Sequence, residues 1–222
     1  MNNEQLTMNK SEYIDGVMAR LNELSWDDSS SGMFLGGDVS KTERLVDSLF
    51  VDGWRRGVDL LPRHWFNQSS FVRSPHYADV ASGTGFVVLP VDFYVLASFR
   101  MEGWRKGVFR AVEEDDTVLA VQSNEFVRGN VCRPVCTVCV HPVYGRVLKY
   151  YSLPRGTCEH VVAEAMYVGL PGSLESVVES LGSQLVGALM WLNASVVLSV
   201  MEKVELGKVA EERALLSTNY TN

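Results

Sequence analysis

The feature that most limits how this chain can fold is a run of 21 residues without a formal charge, from Leu181 to Met201. A helix of that length can cross a bilayer. The run also holds hydrogen-bonding side chains and two glycines, namely Ser183, Gln184, Asn193, Ser195, Ser199, Gly182 and Gly187. Glutamates flank both ends, and no basic cluster orients a membrane span. We therefore predict a buried helix and no membrane partner, with a membrane-associated protein as the alternative.

A helix that is apolar on nearly all sides must be covered by other elements. The length of 222 residues predicts one domain over 1–222, so we expect a second subunit to supply part of this cover. Within that domain we predict N-terminal helices over 1–69, a β-rich insertion over 70–168, the long apolar helix over 169–204, and a C-terminal amphipathic helix and tail over 205–222.

Composition and charge exclude several classes of protein. Hydrophobic residues make up 46% of the chain and charged residues 21%, which argues against a disordered, collagen-like or disulfide-dense protein. The 20 basic residues against 27 acidic ones give a net charge of −7, which is unfavourable for gripping nucleic acid through its phosphates. DNA that passes nearby without specific binding is compatible with this charge.

Capping residues and apolar spacing predict two N-terminal helices. The first begins at a cap at Ser11 and continues to about Leu24. The second begins at the capping-box pattern Ser40–Glu43 and ends before Pro62. Near the other end of the chain, Glu205–Leu216 is predicted to be an amphipathic helix, and Ser217–Asn222 a loose polar tail.

The middle of the chain is rich in β-branched and aromatic residues and predicts a compact antiparallel sheet. The predicted strands lie at 86–89, 93–99, 108–112, 135–140, 147–151 and 160–167. Pro142–Gly145 predicts a hairpin turn, and Asp115–Asn124 predicts a helical turn. The sequence of Val51–Val58 is echoed at Met101–Val108, but in a strand context, so the echo does not indicate a repeat architecture.

The four cysteines, with two nearby histidines, allow a zinc site as an alternative. They are Cys132, Cys136, Cys139 and Cys158, with His141 and His160. The chain has one C-x2-C spacing and lacks a second C-x2-C or an H-x3-H. On a strand, residues three apart point to opposite faces, so Cys136 and Cys139 would not share an ion. Since the N-terminus Met1–Lys10 does not resemble a secretion signal, we expect reduced thiols and no metal or cofactor.

No catalytic motif is present in the sequence. It lacks a G-x-S-x-G elbow, a P-loop, a dinucleotide fingerprint and an H-E-x-x-H pair. Ser82–Gly85 is glycine-rich but is not followed by a helix with a lysine, and Glu113–Asp116 is typical of a solvated acidic loop. We therefore predict that the chain is not an enzyme.

One segment carries a resemblance to a known family. Residues Leu89 to Trp104 match the pattern LPxDFxxLxSFxMxGW, and Gln122, Asn124, Arg128–Asn130 and Arg133–Cys136 look like the block that follows it. The chain thereby resembles head–tail adaptor or neck ring proteins of crAss-like (Bacteroidales) tailed phages. It differs at Val91, where the pattern often has an acidic residue, and at Gly107, where it often has a proline.

The resemblance implies a structural virion protein that forms an oligomeric ring, commonly twelve-fold, in the neck below the portal. Such a ring joins head to tail, extends the DNA channel and contacts the portal above and a further tail or neck ring protein below. The implied localisation is the virion, with assembly in the host cytoplasm. The alternative is a phage enzyme or regulator that binds zinc through the Cys/His cluster.

Together these arguments predict an α+β fold, an adaptor-like helical bundle from both termini with a central antiparallel β insertion. The predicted subunit interface consists of Leu185, Leu189, Trp191 and Leu192. The predicted portal contact consists of Leu206, Val209, Arg213, Leu216 and Tyr220. The residues that carry the family pattern are Leu89, Pro90, Asp92, Phe93, Phe99, Gly103 and Trp104.

Overall fold

The computed structural model describes residues 8–27, 39–79, 81–113, 115–124, 126–153, 160–174 and 181–219. They form two compact units. The helical unit combines the described residues up to Asn67 with those from Leu170 onwards, and the β unit covers Gln68–Gly169. The chain therefore leaves the helical unit once, completes the β unit and returns.

Five α-helices build the described part of the helical unit. They are α1 (Lys10–Asp27), α2 (Val39–Ser48), α3 (Phe50–Leu60), α5 (Ser183–Val200) and α6 (Val204–Asn219). A short 3-10 turn, Arg63–Trp65, follows α3. Helix α4 (Thr117–Ala120) belongs to the β unit.

Helix α5 is the centre of the helical unit and corresponds to the uncharged run. Helices α1, α3 and α6 all pack against it, so its apolar side chains are covered by the same chain. No helix among the residues that the structure describes is both long enough and apolar enough to span a membrane.

Two glycines let α3 approach α5 closely. Gly53 and Gly57 lie one turn apart on the same face of α3. A methyl group on Gly53 would lie 3.0 Å from the Cα of Asn193, and one on Gly57 would lie 2.6 Å from a Leu189 methyl carbon. The absence of side chains at these two positions thus sets the distance between the helices.

The predicted cap of the first helix and the predicted continuity of the second need correction. Helix α1 is capped by Asn9, whose side-chain oxygen accepts from the Glu12 amide at 2.9 Å, while the Glu12 carboxylate accepts from the Asn9 amide at 2.8 Å. This reciprocal capping box replaces the predicted cap at Ser11. The single second helix is also wrong, because the chain breaks at Leu49 into α2 and α3.

The β unit contains two antiparallel sheets. Its strands are β1 (Gln68–Ser70), β2 (His76–Asp79), β3 (Thr84–Val88), β4 (Phe93–Met101), β5 (Cys136–His141), β6 (Gly145–Tyr151) and β7 (Val162–Gly169). One sheet has the order β1-β7-β4 and the other β2-β3-β6-β5. Apolar side chains of both sheets, including Phe99 and Leu148, form one buried core.

Strand prediction succeeds where side chains are buried and fails where they are not. Five predicted strands correspond to β3, β4, β5, β6 and β7, and the hairpin turn at 142–145 is confirmed. The predicted strand 108–112 is wrong, since only isolated bridges form, at Val108 and Val112. Strands β1 and β2 are exposed along their whole length and lack the apolar alternation that would reveal them.

The remaining secondary-structure predictions have mixed outcomes. The helical turn at 115–124 is confirmed by α4 and the 3-10 turn Val121–Ser123. The amphipathic helix near the end is confirmed by α6, but α6 continues to Asn219, so the predicted tail from Ser217 begins too early. The two echoed segments differ, because Val51–Val58 lies in α3 whereas Gly103 lies in a turn after β4.

The predicted fold class is wrong. The strands lie in the middle of the chain and form two antiparallel sheets, and the helices are not clearly bundled from both termini. Helices α1, α3 and α6 instead converge on α5. The physical reason is that α5 is apolar on nearly all sides, so neighbours can pack around it without lining up as a regular bundle.

Candidate assembly surfaces

The apolar residues of the family pattern form the core of the β unit. Leu89, Phe93, Leu96, Phe99, Met101 and Trp104 are all buried. Their spacing departs from simple alternation because β4 shifts register against β7 at three places. Ser98 and Phe99 pair with Met166 and Ala165 in regular register, so their side chains point to opposite faces of β4. Phe99 enters the core, whereas the Ser98 hydroxyl donates to the Glu164 carboxylate.

The polar and glycine positions of the pattern fix the geometry around β4. The Asp92 carboxylate accepts hydrogen bonds from the Tyr167 hydroxyl at 2.9 and 3.1 Å, and burial together with this bond raises the pKa of Tyr167. Gly103 has φ +83°, a conformation that favours glycine. The Trp104 indole N–H donates to the Ser152 carbonyl at 3.0 Å. The pattern, including the partly buried Pro90, therefore describes how this unit folds.

Three residues of the predicted subunit interface are covered within the chain. Leu185, Leu189 and Leu192 are buried in the helical unit. Trp191 is partly exposed and lies between the guanidinium groups of Arg20 and Arg213, which are 5.3 and 5.2 Å from its ring centre. The subunit interface stays a prediction. The argument that a second subunit must cover α5 no longer supports it, because helices of the same chain cover α5.

The predicted portal contact divides into three groups. Val209 and Leu216 are exposed on α6, and Leu206 is partly exposed. Arg213 is engaged within the chain, by Glu23 and by the Trp191 ring. Tyr220 lies outside the described residues.

The face of α6 that packs on α5 is built from small residues. Gly207, Ala210 and Ala214 are buried there, and a methyl group on Gly207 would lie 3.2 Å from the Ser195 carbonyl oxygen. A two-pronged ion pair also holds the helix, with Arg56 donating to both carboxylate oxygens of Glu211 at 2.9 and 2.8 Å. This pair lowers the pKa of Glu211.

The cysteines are not assembled for metal binding in the described part of the chain. Cys136 points into the core, and burial raises the pKa of its thiol well above the usual value. Cys139 lines the opposite, outer face of the same sheet. Among the described residues no group of three or more His, Cys, Asp or Glu side chains is placed to hold an ion. Cys158 lies outside the described residues, whereas His160 is partly exposed.

Two surfaces of the β unit were missed by sequence reasoning. The first is an open groove of about 440 Å³ on the outer face of the β2-β3-β6-β5 sheet, which we call the outer groove; its lining includes Tyr77, Phe86, Cys139, His141, Val147 and Lys149. The second is a group of exposed apolar side chains in the described residues 117–124 and 126–127, which we call the Phe126 projection; they are Val118, Val121, Phe126 and Val127. The sequence signal for this surface is five large apolar residues, Val118, Leu119, Val121, Phe126 and Val127, within a segment otherwise typical of a loop.

Comparisons with known proteins do not assign the chain. Neither a protein-family model nor a curated protein matches the sequence.

Proposed function

We propose that this chain is a structural protein of a tailed-phage virion, which assembles as a ring in the neck below the portal. The ring joins head to tail and extends the DNA channel, with twelve copies as the expected number. The observation that carries the proposal is the pattern from Leu89 to Trp104, which resembles crAss-like neck proteins.

Exposed apolar side chains on ordered elements support assembly with other proteins. In the helical unit, Val209 and Leu216 project from α6, and in the β unit the Phe126 projection does the same. Apolar residues on exposed surfaces are frequent at sites of protein contact. Helix α6 is accordingly our candidate for the contact with the portal.

The net charge of −7 supports a channel that DNA traverses without sticking. An acidic surface repels phosphates, and the repulsion is repeated once for each subunit of a ring. The proposed location is therefore the virion neck, after assembly in the host cytoplasm, with a further tail or neck ring protein below.

The ring and the portal contact can be tested on the intact chain. Native mass spectrometry and negative-stain imaging should show rings, either alone or after mixing with the portal protein of the same phage. A protein that remains monomeric at all concentrations, with and without the portal, contradicts the proposal.

The contribution of α6 is tested with the double variant V209S/L216S. We expect it to lose portal binding while its circular dichroism spectrum is unchanged, because both side chains are exposed. E212S, at another exposed position of α6, is the matched control and should bind like the wild type. Equal binding of all three proteins would exclude this face of α6.

A further inference from the structure

The Arg20 guanidinium is partly buried and makes few hydrogen bonds. Its Nη1 donates to the Gly16 carbonyl oxygen, one turn earlier in α1, at 2.8 Å. Its Nε is enclosed and has no acceptor among the residues that the structure describes. A guanidinium has five N–H donors, and the burial of an unpaired charge is costly. The cost is visible in the pKa of Arg20, which burial lowers.

The charge of Arg20 is not neutralised by the titratable groups around it. Glu23 attracts Arg20, but its carboxylate accepts a hydrogen bond from Arg213 at 2.5 Å. Burial raises the pKa of Tyr13, the other titratable neighbour of Arg20, so its hydroxyl carries no charge. Two guanidinium groups therefore share one carboxylate, and an excess positive charge remains at Arg20.

Two contacts hold the guanidinium in one orientation. One is the hydrogen bond to the Gly16 carbonyl oxygen, and the other is the Trp191 ring, whose centre lies 5.3 Å from the Arg20 Cζ. Arginine commonly stacks on aromatic rings in this way. Because the donors are already oriented, they lose little conformational entropy when a ligand binds.

Open space lies next to the guanidinium because α5 has a glycine there. Apart from the α5 backbone and its own chain neighbours, a methyl group added at Gly187 would meet only the Arg20 Nη2, at 3.9 Å, within the described part of the chain. Gly187 and Trp191, one turn later on the same face of α5, are both partly exposed. The Nη2 of Arg20 therefore faces a recess that solvent can reach. We call it the Arg20 recess; it is formed by Arg20, Gly187 and Trp191.

The chemistry of the Arg20 recess suits an oxyanion. The planar fork of a guanidinium matches the oxygen atoms of a carboxylate or a phosphate, and charge strengthens such hydrogen bonds. The missing side chain at Gly187 leaves room for a group of this size, and the Trp191 ring forms a wall beside it. We propose that the Arg20 recess binds a carboxylate or phosphate group, which accepts hydrogen bonds from the Nη2 of Arg20. The site goes beyond the proposed ring and does not depend on it.

A phosphate titration tests the site on the intact chain. The ¹⁵N-labelled protein is titrated with sodium phosphate at constant ionic strength, and NMR follows its arginine Nε–H and tryptophan indole signals, which R20K and W191F assign. Two charge-assisted hydrogen bonds correspond to a dissociation constant on the order of 1 mM. We expect the Arg20 and Trp191 signals to shift and to saturate in this range. Arg20 signals that shift no more than those of Arg44, which is exposed on α2, overturn the inference.

A substitution that fills the recess leaves Arg20 itself intact. In G187L the new side chain begins in the open space beside the Arg20 Nη2, so we expect a folded protein that has lost the saturable response to phosphate. G182L is the matched control, because Gly182 is the N-cap of α5 and a methyl group there meets no described atom within 4 Å. This control should bind phosphate like the wild type. Binding by G187L equal to that of G182L overturns the inference.

Sedimentation separates two sources of the oxyanion. If a carboxylate of a second copy occupies the recess, the wild type self-associates in phosphate-free buffer, and both phosphate and G187L weaken this association. If a free anion is the ligand, neither phosphate nor G187L changes the sedimentation, and saturable phosphate binding alone supports the site. Rings that form in a protein without saturable phosphate binding overturn the site while leaving the neck protein proposal intact.

Discussion

The approach of α3 to α5 makes Gly53→Ala an informative perturbation. The added methyl carbon would lie 3.0 Å from Asn193 Cα, 3.1 Å from its Cβ and 3.3 Å from its amide nitrogen. Two of these three atoms belong to the backbone, so no rotamer change can relieve the contact. The helices must move apart, and the buried layer between them must loosen.

The magnitude follows from two opposing effects. Alanine is favoured over glycine inside a helix by roughly 0.5–1 kcal/mol. Overpacking a well-filled core costs roughly 1–3 kcal/mol. We therefore expect Gly53→Ala to lower the free energy of unfolding by up to roughly 2.5 kcal/mol despite its better helix propensity.

Gly187→Ala provides the matched control. Gly187 is inside α5, where an added methyl meets only an Arg20 nitrogen at 3.9 Å, so this variant gains the propensity without the clash. The difference in unfolding free energy between the two variants is then the overpacking cost of roughly 1–3 kcal/mol. At about 2–4 °C per kcal/mol, this corresponds to a Tm difference of roughly 2–12 °C. Thermal unfolding followed by circular dichroism at a helix wavelength measures it. Equal Tm values for the two variants would refute the close approach of α3 and α5.

Three other predictions concern single residues. Trp104→Phe removes the indole N–H that bonds to Ser152 and should destabilise the β unit by roughly 1–3 kcal/mol, measured by urea unfolding; an unchanged midpoint contradicts the role of this bond. Glu211→Gln should cost about 0.5–1 kcal/mol near neutral pH. Because the pKa of Glu211 is lowered in the folded state, the stability from this ion pair is present above the ordinary pKa of 4.5 and is lost as the pH falls through the folded-state pKa. The unfolding free energies of the wild type and Glu211→Gln should therefore become equal in acid. A difference that stays constant down to acidic pH argues against the ion pair. Cys136 should resist iodoacetamide while Cys132 and Cys139 react, as peptide mass spectrometry would show, and equal labelling would contradict its burial.

Secondary structure was predictable where burial imposes a regular pattern. The apolar spacing in α1 and the β-branched segments of β3, β5 and β6 identified these elements. The predicted cap at Ser11 is wrong, because Asn9, two residues earlier, caps α1 in a reciprocal pair with Glu12. Strand β2 escaped prediction because none of its side chains is buried.

Tertiary arrangement was less accessible, because sequence specifies that a side chain is apolar but not what covers it. The uncharged run had to be buried, yet its cover comes from α1, α3 and α6 of the same chain. The same limit applies to the candidate surfaces. Phe126 and Phe99 are both phenylalanines near strand-like segments, but one is almost fully exposed and the other is buried.

The division of the helical unit between both parts of the chain has a consequence for its synthesis. Helix α3 ends at Leu60, whereas α5, on which it packs, is complete only at Val200, about 140 residues later. At a synthesis rate of about 5–20 residues per second, the apolar faces of α1 and α3 remain without α5 for roughly 7–28 s during translation. The β unit is translated within that interval and can fold first. Chaperones should therefore bind nascent chains of this protein mainly at α1 and α3, until α5 leaves the ribosome.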